Sequence, residues 1–325
     1  MKYVMFLQDL GLSRDETREL LRRAGCHAFE PVWSEDEPDE AIKNSVEIVV
    51  TSKHRVSAAE LDEFPNARMV SMAFTGYNDV DIEYCNDRNL SLYYVPDYST
   101  DSVAELAVAM AGSLLRRLPV AESRVASGRW DRAEPNNIDI IPGLQLRGRT
   151  VGIIGTGTIG LRTAEIFHYG FRCPLIAWSQ NRKPEFRELG GTYLDTIDDV
   201  FSQADVVSLH LQLIEGDTSD TANAERIGLL REDSVLINTA RTGLVDLEAL
   251  MIALKERRIL GAGLDITEED HLREDLIGID NLILTPHIGY RTDRALKKLA
   301  EKTIENIGRF LKHDPTNRLP SKPKS

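Results

Sequence analysis

An arginine, an acid and a histidine stand in three separated segments, each placed where an apolar run gives out. Arg241 follows Leu236-Ile237-Asn238-Thr239-Ala240. Asp265 ends Gly261-Ala262-Gly263-Leu264 and opens a stretch that includes Glu268, Glu269 and Asp270. His287 lies in Leu284-Thr285-Pro286-His287-Ile288-Gly289. If the three runs are strands of one parallel sheet, their ends converge on the edge where doubly wound sheets bind ligands. A guanidinium fork there suits bidentate capture of a carboxylate. An imidazole beside an acid is a general acid–base, because the negative charge favours its protonated form.

A fourth segment, Thr150-Val151-Gly152-Ile153-Ile154, runs into Gly155-Thr156-Gly157-Thr158-Ile159-Gly160. A strand before this spacing and a helix after it give the glycines distinct tasks. Gly155 makes the tight turn, Gly157 leaves room for a pyrophosphate and Gly160 lets helix and strand pack closely. The phosphates would sit on free N–H groups at a helix N-terminus. In an NAD site the next strand ends in a carboxylate that binds the ribose 2′-hydroxyl. Here it ends Ala177-Trp178-Ser179-Gln180-Asn181-Arg182-Lys183, without one. Ser179, Asn181 and Arg182 suit a 2′-phosphate instead, so the expectation is NADP or NAD, with NADP favoured.

The elements that must hold these residues read as alternating strands and helices. Strands are expected at Tyr3–Leu7, Val46–Val50 and Arg68–Met72, with capping boxes at Ser13/Glu16 and Ser57/Glu60. A long, all-round apolar helix is expected from Ser102 to about Leu118. An excursion over 120–148 carries Gly128, Trp130, Pro135 and Pro142. A second block then offers strands at Thr150–Ile154, Pro174–Trp178, Asp205–Leu209, Ser234–Asn238, Gly261–Asp265 and Asn281–Thr285. Six short apolar strands with helices between them suit a doubly wound sheet. The tail from Arg294 to Leu311 reads as a helix returning to the first block. The expected domains are 1–98 with 292–325, and 99–291.

A length of 325 residues with 42% hydrophobic and 28% charged residues is that of an ordinary globular chain of about two domains. The net charge of -13 opposes binding to nucleic acid or anionic membranes. No apolar run approaches the ~20 residues of a bilayer span. The start, Met1 to Asp9, turns acidic too soon for a secretory signal. Cys26, Cys85 and Cys173 form no metal or disulfide pattern, so a reducing cytoplasm is expected.

Taken in order, the GxGxxG, the Asn238-Thr239-Ala240-Arg241, Gly263-Leu264-Asp265 and Thr285-Pro286-His287-Ile288-Gly289 segments resemble the D-isomer-specific 2-hydroxyacid dehydrogenases. Phe74 to Asp81 and Thr100 to Glu105 extend the resemblance over nearly the whole chain. It implies an α/β fold of two doubly wound parallel-sheet domains, a flavodoxin-like substrate domain and a Rossmann dinucleotide-binding domain, with a cleft between them. It also implies a homodimer. Arg241 would bind the carboxylate of a small 2-hydroxy or 2-oxo acid, and His287 would exchange a proton with its C2 oxygen. Asp265 would lie near the nicotinamide carboxamide, and Thr239 and Ala240 would line the cofactor pocket; His210, which ends an expected strand, reads as structural or cofactor-lining. Amides of Ala73, Phe74, Thr75 and Gly76 would grip the carboxylate. Two departures stand out. The family places a Glu five residues after its Asp to pair with the His; here that position is Asp270, with Glu269 as the alternative if the loop shifts by one. Gln212 replaces a usual Pro. The first departure keeps open a cofactor-sensing binding protein of the same fold. A formate- or phosphite-type dehydrogenase ranks below both, because formate enzymes typically use Gln beside the His.

Overall fold

The computed structural model describes residues 1–52, 56–76, 81–128, 142–266 and 276–320. The chain divides into two compact units, Met1–Ser99 with Arg291–Ser325 and Thr100–Tyr290.

In the first unit, β1 (Lys2–Phe6), β2 (Phe29–Trp33), β3 (Val46–Thr51), β4 (Met69–Met72) and β5 (Ser91–Tyr93) pair in parallel, in the order β2-β1-β3-β4-β5. The connecting helices are α1 (Arg14–Arg23), α2 (Glu40–Lys43), α3 (Ala58–Asp62) and α4 (Ile82–Asp87). Both expected capping boxes form: Ser13 and Ser57 accept from the amides of Glu16 and Glu60, whose carboxylates accept in return. Alternate residues serve opposite faces of the sheet. Met5, Val49, Val70 and Leu92 belong to one buried cluster, and Val4, Phe6, Ile48, Val50 and Tyr93 to another. The second cluster takes in Ile304 and Ile307 of the C-terminal helix, Asp293–Leu311, which therefore belongs to this unit.

The second unit opens with α5 (Thr100–Leu115) and α6 (Leu118–Ala126). The helix expected from Ser102 thus starts two residues earlier and stops at Leu115. A new helix, with Pro119 in its first turn, takes up the beginning of the expected excursion. Trp130 and Pro135 lie outside the described residues. The sheet is built from β6 (Val151–Ile154), β7 (Leu175–Trp178), β8 (Thr192–Tyr193), β9 (Val206–Leu209), β10 (Val235–Asn238), β11 (Gly261–Asp265) and β12 (Leu282–Thr285). All pair in parallel, in the order β12-β11-β10-β9-β6-β7-β8. Its helices are α7 (Thr158–Phe171), α8 (Pro184–Glu188), α9 (Ile197–Gln203), α10 (Ala224–Ile227) and α11 (Leu247–Lys255). The central strands are apolar on both faces. Val207, Leu209, Leu236 and Leu264 pack with α9 and α11; Val151, Ile153, Val206 and Ile237 pack with α5 and α7.

The strand order reverses between β6 and β9. The chain leaves β6 toward β7 on one side and β9 toward β10 on the other. Such a switch point opens a crevice outside the carboxyl ends of the two strands. Among the described residues, no helix is long and apolar enough to cross a membrane.

Candidate active site

The glycine turn sits at that switch point. Gly155 takes φ +95°, a conformation L side chains rarely adopt, and a methyl there would come 2.7 Å from the His210 carbonyl oxygen. A methyl on Gly160 would come 2.0 Å from the Gly155 oxygen, so α7 packs onto the turn only with glycine at that position. Gly157 differs: a methyl there meets nothing within 4 Å. Gly157 is also the N-cap of α7, with no side-chain cap, so the helix opens with Thr158, Ile159 and Gly160 offering N–H groups to an anion. The 210 side of the crevice is neutral. Burial pushes His210 down to about 4, and its Nε2 pairs with Ser208 Oγ at 2.9 Å.

The segment after β7 is tied to the turn. The Thr156 amide donates to Ser179 Oγ at 3.3 Å, and that hydroxyl donates to the Asn181 oxygen at 3.1 Å. Thr156 Oγ1 and Tyr193 Oη are 2.7 Å apart, and the Lys183 amide donates to the same Tyr193 oxygen at 2.8 Å. Asn181 and Arg182 are exposed. The Arg182 guanidinium donates to the Leu194 oxygen and to Asp195 Oδ1, both at 3.1 Å. Tyr193 was not among the expected site residues. A tyrosine following Gly190-Gly191-Thr192 was the available signal, since a buried phenol needs a partner.

Register puts the remaining candidates on the same edge. Asn238 pairs with Leu209 and Leu264, and Asp265 with Thr285, so the residues after these strands share the carboxyl end of the sheet. Asn238 shapes the first segment: its Oδ1 accepts from the Ala240 amide at 3.0 Å and its Nδ2 donates to the Arg241 oxygen at 2.7 Å. Arg241 is half-buried, and its Nη1 donates to the Ala240 oxygen at 2.8 Å. Thr239 Oγ1 is buried and has no hydrogen-bond partner among the described residues; Thr242 Oγ1 and Thr100 Oγ1 share that condition.

Asp265 is 3% exposed, and its carboxylate organises the histidine loop. Oδ1 accepts from Thr285 Oγ1 at 2.6 Å and from the Ile288 amide at 2.9 Å, while Oδ2 accepts from the Gly289 amide at 2.8 Å. His287, half-buried between these anchors, has φ +47° and stands edge-on to Tyr290 with ring centroids 5.4 Å apart. A left-handed histidine costs on the order of 1–2 kcal/mol, and three anchors on one carboxylate hold it there. Asp270 and Glu269 lie outside the described residues. In the first unit, Ala73 is buried behind β4, Thr75 Oγ1 donates to the Val95 oxygen at 2.8 Å, and the Val95 amide donates to Phe74 at 3.0 Å. Gly76 closes that described stretch.

Residues 108–289 match the family described as D-isomer specific 2-hydroxyacid dehydrogenase, NAD binding domain. The chain belongs to that family. A glyoxylate reductase of Thermococcus litoralis is 33% identical over 276 residues, 84% of this chain and 82% of the relative. The D-lactate dehydrogenase kk1H of Curvularia clavata is 34% identical over 294 residues, 85% and 82% of the two chains. Among solved structures, Aquifex aeolicus D-lactate dehydrogenase, complexed with NAD and lactic acid, superposes with TM-score 0.77 at 26% identity, covering 99% of this chain and 100% of that one. The NADPH-dependent glyoxylate/hydroxypyruvate reductase of Sinorhizobium meliloti gives 0.79 at 27%, covering 96% and 95%. The protein is thus an oxidoreductase, a 2-hydroxyacid dehydrogenase with a Rossmann-type NAD(P)-binding unit. The residues of this dehydrogenase fit a dinucleotide: an uncapped helix start, open space at Gly157 and an orphaned hydroxyl on Thr239 share the carboxyl edge of one sheet.

Proposed function

We propose that the dehydrogenase reduces a small 2-oxo acid, of glyoxylate or hydroxypyruvate size or larger, to the 2-hydroxy acid, and reversibly oxidises the latter, with NADPH preferred over NADH. The observation that carries this reading is the carboxyl edge of the second sheet, where Arg241, the Asp265-anchored His287 loop and the glycine turn all emerge.

When bound, the nicotinamide supplies or accepts a hydride at C2 of the acid. The Arg241 fork holds the substrate carboxylate and polarises the adjacent carbonyl. The His287 imidazolium gives a proton to the C2 oxygen during reduction, and the neutral ring takes it back during oxidation. Asp270, or Glu269, is assigned to pair with His287 and favour its charged form. In the first unit, the amides of Phe74, Thr75 and Gly76 are assigned to the carboxylate; Ala73, expected to join them, is left out because its amide already donates to the Thr51 oxygen at 2.7 Å. The helix start at Thr158 to Gly160 receives the pyrophosphate, and Thr239, Ala240 and His210 line the cofactor. His210, being neutral, adds no charge there. Preference for NADPH rests on Ser179, Asn181 and Arg182 standing where an NAD site has a carboxylate. A homodimer completes the proposal and is read by light scattering.

A panel of 2-oxo acids run with each reduced cofactor tests the reading. Cofactor oxidation by at least one member, faster with NADPH, is the expected result. Tight cofactor binding with no oxidation across the panel would instead establish a cofactor sensor.

A further inference from the structure

We propose that Asp195 sets how strongly this dehydrogenase prefers NADPH to NADH, by competing with a 2′-phosphate for the Arg182 guanidinium. This rests on the reading that the ribose 2′ position faces the 179–183 segment.

The backbone of that segment has little freedom. One end is fixed by the Thr156 amide on Ser179 Oγ, and the other by the Lys183 amide on Tyr193 Oη, a hydroxyl that also meets Thr156 Oγ1. Turn, segment and β8 therefore form one hydrogen-bonded frame. The variable part is the head of Arg182. Its Nη2 donates to the Leu194 oxygen and to Asp195 Oδ1, and its guanidinium carbon lies 5.6 Å from the Tyr193 ring centroid. Arg187 approaches the same ring at 5.8 Å, so two cations flank it.

The Asp195 side chain is 91% exposed and that of Arg182 41%. An exposed pair of this kind is weak, so it yields to a dianionic phosphate. Yielding still has a cost, and the released carboxylate then stands beside the phosphate as a like charge. Both effects oppose NADPH. Neither touches NADH, which has only a hydroxyl at that position. Asp195 thus acts through Arg182 as a positioning residue that tempers selectivity.

Asp195→Asn keeps the shape and removes the charge at an exposed position, so the melting temperature stays as in the wild type. Dissociation constants for NADPH and NADH are measured by calorimetry on the full chain at low and high salt. NADPH is expected to bind about three- to tenfold tighter in the variant at low salt. NADH should change by less than about twofold, and the NADPH gain should shrink at ~0.5 M salt, because exposed charges are screened. An unchanged or reduced NADPH-to-NADH affinity ratio overturns the proposal. Arg182→Gln separates the two levels. If it selectively weakens NADPH while Asp195→Asn does nothing, the 2′-phosphate reading stands and the role of Asp195 falls. If it leaves both affinities unchanged, the reading of the 179–183 segment is wrong and the proposal falls with it.

Discussion

Replacing Asp265 by Asn tests how the histidine loop is held. The carboxylate accepts three hydrogen bonds, two of them from the consecutive amides of Ile288 and Gly289. An amide of the same shape has one accepting oxygen. Facing Ile288 with that oxygen turns its NH2 toward the Gly289 amide; facing Gly289 turns it toward the Ile288 amide. The first choice orphans the buried Gly289 amide and the second the part-buried Ile288 amide, a cost of up to about 1–3 kcal/mol. The remaining bonds also lose their ionic character. A loss of about 2 kcal/mol falls on a loop that keeps His287 at a positive φ, so relaxation of the histidine to an extended conformation is the cheapest response. If that loss appears in the barrier, kcat/KM drops about 30-fold. Steady-state kinetics with the preferred 2-oxo acid measure it, with cofactor affinity measured separately so that a loss there is not counted as loss of His287 positioning. Wild-type kcat/KM and an unchanged melting temperature in Asp265→Asn would refute the argument that this carboxylate positions His287.

Two glycine variants should part company. Gly157→Ala should fold as the wild type, because its methyl meets nothing, yet bind both cofactors about tenfold or more weakly, since it fills the pyrophosphate space. Gly160→Ala should lose thermal stability, because its methyl would strike the Gly155 oxygen. Arg241→Ala should raise KM for the 2-oxo acid and lower kcat together, with cofactor affinity intact. His210 carries a pH signature. Its pKa falls from the ordinary 6.5 to about 4 on folding, so the unfolded chain binds more protons between those values. Stability from this residue is therefore present above pH 6.5 and lost on acidification toward 4, by up to about 1.4 kcal/mol per pH unit. Denaturant titrations at stepped pH should show that slope, and His210→Gln should flatten it.

The parts of the molecule legible in sequence were those written in local chemistry. The glycine turn, both capping boxes and the central strands of each sheet carry their signal within a few residues. The strands that escaped are edge strands. β2 contains Pro31, which an edge tolerates, while β5 has three residues and β8 two, too few for an alternating pattern. The break between α5 and α6 was signalled by Pro119 just past the twin arginines, Arg116 and Arg117. In the site, Arg241, Asp265 and His287 were visible as strand ends. The three bonds of Asp265 to the loop were not, because Asp265 and Gly289 meet only when β11 and β12 pair in register. Tyr193 was missed for a similar reason: its hydroxyl finds Thr156 and Lys183 only across the sheet edge.

The most direct test of the central assignment is single-turnover reduction of a 2-oxo acid by His287→Gln, with the dissociation constant of the reduced cofactor measured on the same protein. Loss of a positioned general acid predicts a fall in rate of about 10²–10⁴ with cofactor affinity unchanged. Hydride transfer at the wild-type rate in that variant would contradict it.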